Sequence, residues 1–207
     1  MAEQSTTTQG SPRPGAKRKS LSRDRLLIAA RKLFVERGFH ATRPQDIVRS
    51  ADVGHGTFYL HFADKRACFL AFVDDARQEL SDFVAGRVAK AKGLEATIEA
   101  VLTAIFEYSE LHPGVLATAM TDDAVIAAGG PQTQAPLLER WGENWAETVR
   151  ALLADTGGVP AGMDAGIVGQ AIVGAIHQAT TVAHRRGRPR AVVIKALTKF
   201  LARALRP

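Results

Sequence analysis

Apolar residues recur at three- and four-residue intervals along most of the chain and nowhere alternate with period two, so the sequence predicts helices and no strands. Leu26, Leu27, Ala30, Leu33 and Phe34 form the first stripe; Ser22 starts it, Asp24 sits in its first turn, and Gly38 closes it. Ile47, Val48 and Ala51 form a second, short stripe. Thr42 is its expected N-cap, Gln45 completes a capping box, and Pro44 falls in the first turn, where a missing N–H costs nothing. Asp52 takes the turn that follows, a place where a left-handed backbone is tolerated. Val53 seals the angle before a third helix that opens on Gly54 and Gly56. Phe58 and Phe62 anchor that helix inward, while His55, Thr57, Tyr59 and His61 leave its other face polar. A short helix with a bare, polar leading end suits the major groove of DNA.

Asp64 caps a fourth, long helix carrying Phe69, Phe72, Val73, Ala76, Leu80, Phe83, Val84 and Val88, broken by Gly93. A fifth carries Leu94, Ile98, Val101, Leu102, Ile105 and Phe106 and stops before Pro113. A sixth runs from about residue 114 to 127, and Gly129, Gly130 and Pro131 make a loop. Pro136 opens a seventh helix bearing Trp141 and Trp145; Gly157 to Pro160 separate it from an eighth. That eighth helix, 164–183, is apolar on nearly every side and thinned by Gly166, Gly169 and Gly174, so it needs cover all round. An Arg-rich loop, 185–190, precedes a ninth helix with Val192, Val193, Leu197, Phe200 and Leu201. The expectation is an all-α chain of about nine helices. It has three parts: a disordered basic arm over 1–20, a three-helix head over 21–66, and a larger helical domain over 67–207.

Charge sharpens this picture. The chain has 207 residues and a formal charge of +6. Between residues 11 and 66 stand thirteen Lys or Arg but only five acids, Asp24, Glu36, Asp46, Asp52 and Asp64. A basic block that coincides with a helix-turn-helix is the electrostatic footprint of a nucleic-acid binder. No apolar run is long enough for a membrane span and no secretory leader is visible, so a cytoplasmic protein without membrane partners is expected. One cysteine, Cys68, rules out an internal disulfide, and its place on an apolar helix face marks it as a small buried hydrophobe.

The order and spacing of Ala29-Ala30, Leu33-Phe34, Gly38-Phe39, Ala41-Thr42, Asp46-Ile47, Ala51 to Tyr59, His61-Phe62 and Asp64-Lys65 resemble the TetR (tetracycline-repressor-like) family of transcription regulators over roughly residues 22 to 68. Three positions depart from that pattern. Asp52 stands where the family usually has Gly, Gly54 where it has Ser or Thr, and Arg66 where it has an acid. The resemblance implies a homodimeric, ligand-released repressor on a palindromic double-stranded DNA operator. It implies that Thr57, Tyr59, His61 and Lys65 hold phosphates, with Thr42 and Arg43 at the neighbouring helix start. His55, Gln45 and Arg43 would read bases, and Gly54 and Gly56 would permit the approach.

The resemblance also places a ligand cavity in the C-terminal domain, with Phe72, Phe106, Tyr108, Met120, Trp141, Trp145 and His177 as candidate contacts for a small apolar or amphipathic effector. Each of these also fits an ordinary core. The all-round apolar eighth helix, together with the ninth, predicts a two-fold four-helix bundle with Ile167, Ala171, Gly174, Ala175, Val193, Leu197 and Phe200 at the seam. The sequence contains no phosphate loop, HExxH pair, nucleophile elbow or dinucleotide fingerprint, so neither catalysis nor a cofactor or metal is expected. Two rivals stand beside this reading: a DNA-binding regulator or architectural protein without small-molecule input, and an α-helical enzyme.

Overall fold

The computed structural model describes residues 14–121, 142–143, 146–147, 150 and 162–205. Every element among them is helical: α1 (Pro14–Ala41), α2 (Pro44–Ala51), a 3₁₀ turn (His55–Thr57), α3 (Lys65–Val88), α4 (Leu94–Leu111), α5 (Val115–Thr121), α6 (Ala165–Arg185) and α7 (Arg190–Ala204). The expected all-α class holds. Seven α-helices are described where about nine were expected, for two reasons. The third expected helix is a 3₁₀ turn followed by turn residues. The expected seventh, with Trp141 and Trp145, lies largely outside the described residues, although Gly142, Glu143, Ala146, Glu147 and Arg150 are helical.

The chain divides into two compact units, Met1–Phe72 and Val73–Pro207, and α3 contributes residues to both. In the first unit Leu26, Phe34, Ile47, Phe58 and Phe69 have no exposed surface. Phe34 meets Phe69 edge-on at 5.1 Å, and Phe39 meets the same ring at 5.2 Å. Fully burying a side chain of this size stabilises by about 1.5–3 kcal/mol, so these rings hold α1 and the start of α3 together. Gly38 has φ 76° and breaks helical geometry inside α1, the role expected of a closing glycine. At its other end α1 begins at Pro14 instead of Ser22. Lys17, Arg18 and Lys19 therefore stand on a helix and not in an irregular arm; residues 1–13 lie outside the described residues.

The start of α2 also differs from expectation. Its N-cap is Arg43, not Thr42, and Asp46, not Gln45, reaches back to the Arg43 N–H at 3.3 Å. Arg43 has no acceptor to return the bond, so the capping box is half made. Thr42 is fully buried, and its hydroxyl lies 2.8 Å from the Gly38 carbonyl and 3.2 Å from that of Leu33. The hydroxyl therefore points into the kink at the end of α1 instead of capping α2.

In the second unit α7 packs principally against α4 and also against α6. The shared core is Ile98 and Leu102 of α4, Ile172 and Ile176 of α6, and Val193, Ile194, Leu197 and Leu201 of α7. Asp164 caps α6, its carboxylate accepting from the Ile167 N–H at 2.9 Å. Gly169 is buried: a Cβ there would run into the Gly142 carbonyl oxygen and lie 2.8 Å from the Ala146 nitrogen, so two helical segments meet there backbone to backbone. Arg87 of α3 donates to Glu107 of α4 at 2.7 Å and lies 3.3 Å over the Phe83 ring.

Candidate functional site

The turn after α2 depends on one residue in an uncommon backbone. Asp52 has φ 50° and ψ 55°, and its N–H returns to the Arg49 and Val48 carbonyls. Arg25 of α1 then fixes it, donating to the Asp52 carbonyl at 3.0 Å and to its carboxylate at 3.1 Å. The pair is exposed and worth little energy, at most about 1 kcal/mol, but it sets the angle at which the chain leaves α2.

Past this turn the chain presents an outward edge. Gly54, His55 and Gly56 are exposed, and nothing stands within 4 Å of where a Gly56 Cβ would be. Thr57 closes the 3₁₀ turn by donating to the Gly54 carbonyl at 2.9 Å, and Phe62 donates to Phe58 at 2.9 Å, so the winding loosens towards α-helical spacing. Two glycines and no side-chain cap at Gly54 leave too little intrinsic preference for a regular helix here, which explains the short 3₁₀ form. Phe58 and Phe62 are buried as expected.

Tyr59 and Leu60 face outward, 57% and 72% exposed. Leu60 was not among the sequence candidates. An apolar residue in a recognition segment reads as core until Phe58 and Phe62 are seen to occupy the inner face on either side of it. Arg43 and Gln45 are exposed beside this edge at the start of α2.

Three expected phosphate ligands are placed differently. The Thr42 hydroxyl points inward, as described above. His61 Nε2 lies 2.7 Å from the Ser22 hydroxyl, tying the recognition turn to α1. Lys65 donates to the Phe39 carbonyl at 2.8 Å and sits 4.1 Å over its ring, so its ammonium closes the C-terminal end of α1. Cys68, behind them, is fully buried, and burial pushes its thiol up to about 12, opposed by the nearby Arg23 charge.

The second unit contains a cavity of about 770 Å³, a size suited to a small molecule. Its apolar wall includes Leu80 of α3, Ile105 and Phe106 of α4, Met120 of α5, and Val173 and Ile176 of α6. Of the ligand candidates, Phe106, Met120 and His177 line it. Phe72 does not: it is buried in the first unit, 6.0 Å from Phe34. Tyr108 is absent from the wall as well; it is buried between Phe83 and His112, and its hydroxyl lies 2.8 Å from the Glu79 carboxylate. Trp141 and Trp145 lie outside the described residues. The sequence reading missed Ser109, His112, Thr180, His184, Arg185 and Arg188, for which the clustering of Arg at 185–190 was the available signal.

On the outside of the same unit α6 exposes Ile167 (72%), Ala171 and Gly174, and α7 exposes Val192 (54%), Ala196 and Phe200 (58%). Val193 and Leu197, expected at a seam, are each 7% exposed and belong to the chain's own core with α4. The outward stripe of α7 runs through Val192, Ala196 and the expected Phe200, so two of the three expected positions shift by one residue and the third stands.

Residues 26–72 match the family described as bacterial regulatory proteins, tetR family. The transcriptional repressor KstR2 of Rhodococcus jostii is 37% identical over 93 residues, covering 43% of this chain and 44% of its own. The regulator UidR of Escherichia coli is 38% identical over 63 residues, 30% of this chain and 32% of that one. The matched stretches thus span no more than about half the length of these curated relatives. In fold the likeness extends further: the fatty acid degradation regulator FadR from Bacillus halodurans superposes with a TM-score of 0.68 at 16% identity, over 93% of this chain and 97% of that one. Among the described residues no helix is long and apolar enough to cross a membrane. The helix-turn-helix with its polar outward edge, the helical second unit and these likenesses agree: residues 26–72 are a DNA-binding head of the tetR family of bacterial regulatory proteins, and the fold of the whole chain is like that of solved regulators such as FadR.

Proposed function

We propose that this chain is a homodimeric repressor that holds a palindromic operator and lets it go when a small molecule enters the second unit. The observation that carries the reading is the conjunction of three surfaces on one chain: an exposed recognition edge, a cavity behind an apolar wall, and an unpartnered apolar stripe on two adjacent helices. His55 and Leu60 would meet base edges, Leu60 suiting a thymine methyl, while Arg43, Gln45, Thr57 and Tyr59 would hold backbone or flanking bases. Gly54 and Gly56 let the backbone come close. Thr42, His61 and Lys65 serve this edge by holding it in shape.

Ile167, Ala171, Gly174, Val192, Ala196 and Phe200 would be covered by the same stripe of a second copy, with Ala175 at its margin. Release follows from α3, which bears Lys65 at one end and a cavity-lining Leu80 further along. A ligand that fits one arrangement of Leu80 better than another shifts the population of arrangements by that difference in affinity. The test is sedimentation of the full chain at micromolar concentration beside Phe200→Glu. The wild type should sediment at twice the 22.2 kDa chain mass, and the variant at the chain mass. The variant should also lose about 10²–10⁴-fold in operator affinity, because one head cannot exploit the second half-site. A wild type that sediments at the chain mass would overturn the dimer.

A further inference from the structure

The cavity has a strongly uneven chemistry. Its inner wall (Ile105, Phe106, Leu116, Met120, Val173, Ile176) is apolar, whereas the turn between α6 and α7 brings Arg185, Arg188 and Arg190 to the same cavity, with His184 beside them. Arg190 is spoken for: it donates to both carboxylate oxygens of Glu110, which also lines the cavity, at 3.0 and 2.9 Å. That pairing cancels the one carboxylate lining the cavity among the described residues. Arg185 and Arg188 have no ion pair among the described residues. Arg185 ends α6 and Arg188 lies on the short connection after it, whose Gly187 has φ 59°, with the Gly187 N–H returning to the His184 carbonyl at 3.1 Å and the Arg188 N–H to that of Ala183 at 2.9 Å. Ser109, His112, His177 and Thr180 add hydrogen-bonding groups to the lining.

We infer that the effector is an organic anion: an apolar body that fills the inner wall, ending in a single carboxylate or phosphate group met by Arg185 and Arg188. Guanidinium groups suit either head, since both present paired oxygens to a planar fork of N–H donors. Both guanidinium groups are solvent-exposed at the rim, so a neutral ligand would leave them hydrated and gain nothing from them, whereas an anionic head gains their charge-assisted hydrogen bonds. This inference rests on the effector reading above and adds to it the charge of the ligand and the residues that recognise it.

The experiment is isothermal titration of the full chain, without DNA, with decanoate, decyl phosphate and decanol, repeated on the Arg185→Ala/Arg188→Ala double variant. At least one of the two anions should bind at least about tenfold more tightly than decanol, and whichever leads identifies the head group. In the double variant that preference should vanish while decanol binding persists, which also shows that the variant is folded. Decanol binding as tightly as both anions, a preference that survives the double substitution, or no binding by any of the three would each overturn the assignment. Failure of the underlying effector reading looks different: compounds would occupy the cavity and leave operator affinity unchanged.

Discussion

Thr42 shows how a residue of the right type at the right place can do a different job. Sequence spacing makes it a helix cap next to DNA, yet its hydroxyl is buried and donates to the Gly38 and Leu33 carbonyls. Thr42→Val keeps the shape and removes the donor, so it should lower stability by about 1 kcal/mol, read as a shift of the urea midpoint. The dependence of DNA affinity on salt should not change, whereas Arg43→Ala should reduce its logarithmic slope by about one. A reduced slope in Thr42→Val would instead put the hydroxyl on a phosphate. Cys68 gives the pH counterpart. Its thiol is raised to about 12 in the fold, against 9.0 without burial. The unfolded chain therefore loses this proton first, and the stability that depends on it is intact below pH 9.0 and declines above it until about 12. Across that window the wild type should lose about 1.4 kcal/mol per pH unit more than Cys68→Ala does. Parallel curves for the two proteins would show that the thiol ionises freely in the fold.

Helices are where the sequence was most legible, and where its limit is easiest to explain. The stripes of α1, α3, α4, α6 and α7 follow from apolar spacing alone, because each buries one continuous face. The 3₁₀ turn has a helix's sequence signature because its inward residues, Phe58 and Phe62, keep helical spacing, while Gly54 and Gly56 just before them weaken the winding. On α7 the outward face holds Phe200 as the sequence suggests, but Val192 and Ala196 in place of Val193 and Leu197: Val192 and Val193 are chemically alike, and only packing against α4 decides that 193 and 197 turn inward. Glycines were equally ambiguous, since α6 carries several and sequence cannot say which is pressed against a neighbour. Gly169 is, and Gly174 has nothing within 4 Å. Gly169→Ala should therefore cost about 1–3 kcal/mol by overpacking, lowering the melting temperature by roughly 2–4 °C per kcal/mol. Equal melting temperatures for Gly169→Ala and wild type would mean that the two segments can part freely.

At the scale of the whole molecule, the recognition edge and the apolar stripe of α6 and α7 lie in different units, so neither alone specifies a regulator. Charge supports the division of labour: thirteen of the chain's 27 basic residues fall between residues 11 and 66, facing only five of its 21 acids. The candidate DNA edge was therefore largely visible in the sequence, except for Leu60 and for the inward roles of Thr42, His61 and Lys65. The cavity was visible only in part, since lining residues from α3 through the α6–α7 turn come together by tertiary packing and share no local pattern. Central to the proposed function is that two copies read DNA symmetrically. The most direct measurement is to let the purified chain select duplexes from a random pool and to sequence what it retains. An enriched inverted repeat is expected, its half-sites about 34 Å apart centre to centre or a multiple of that spacing. A pool with no enriched motif, or one enriched in a lone unrepeated half-site, would contradict it.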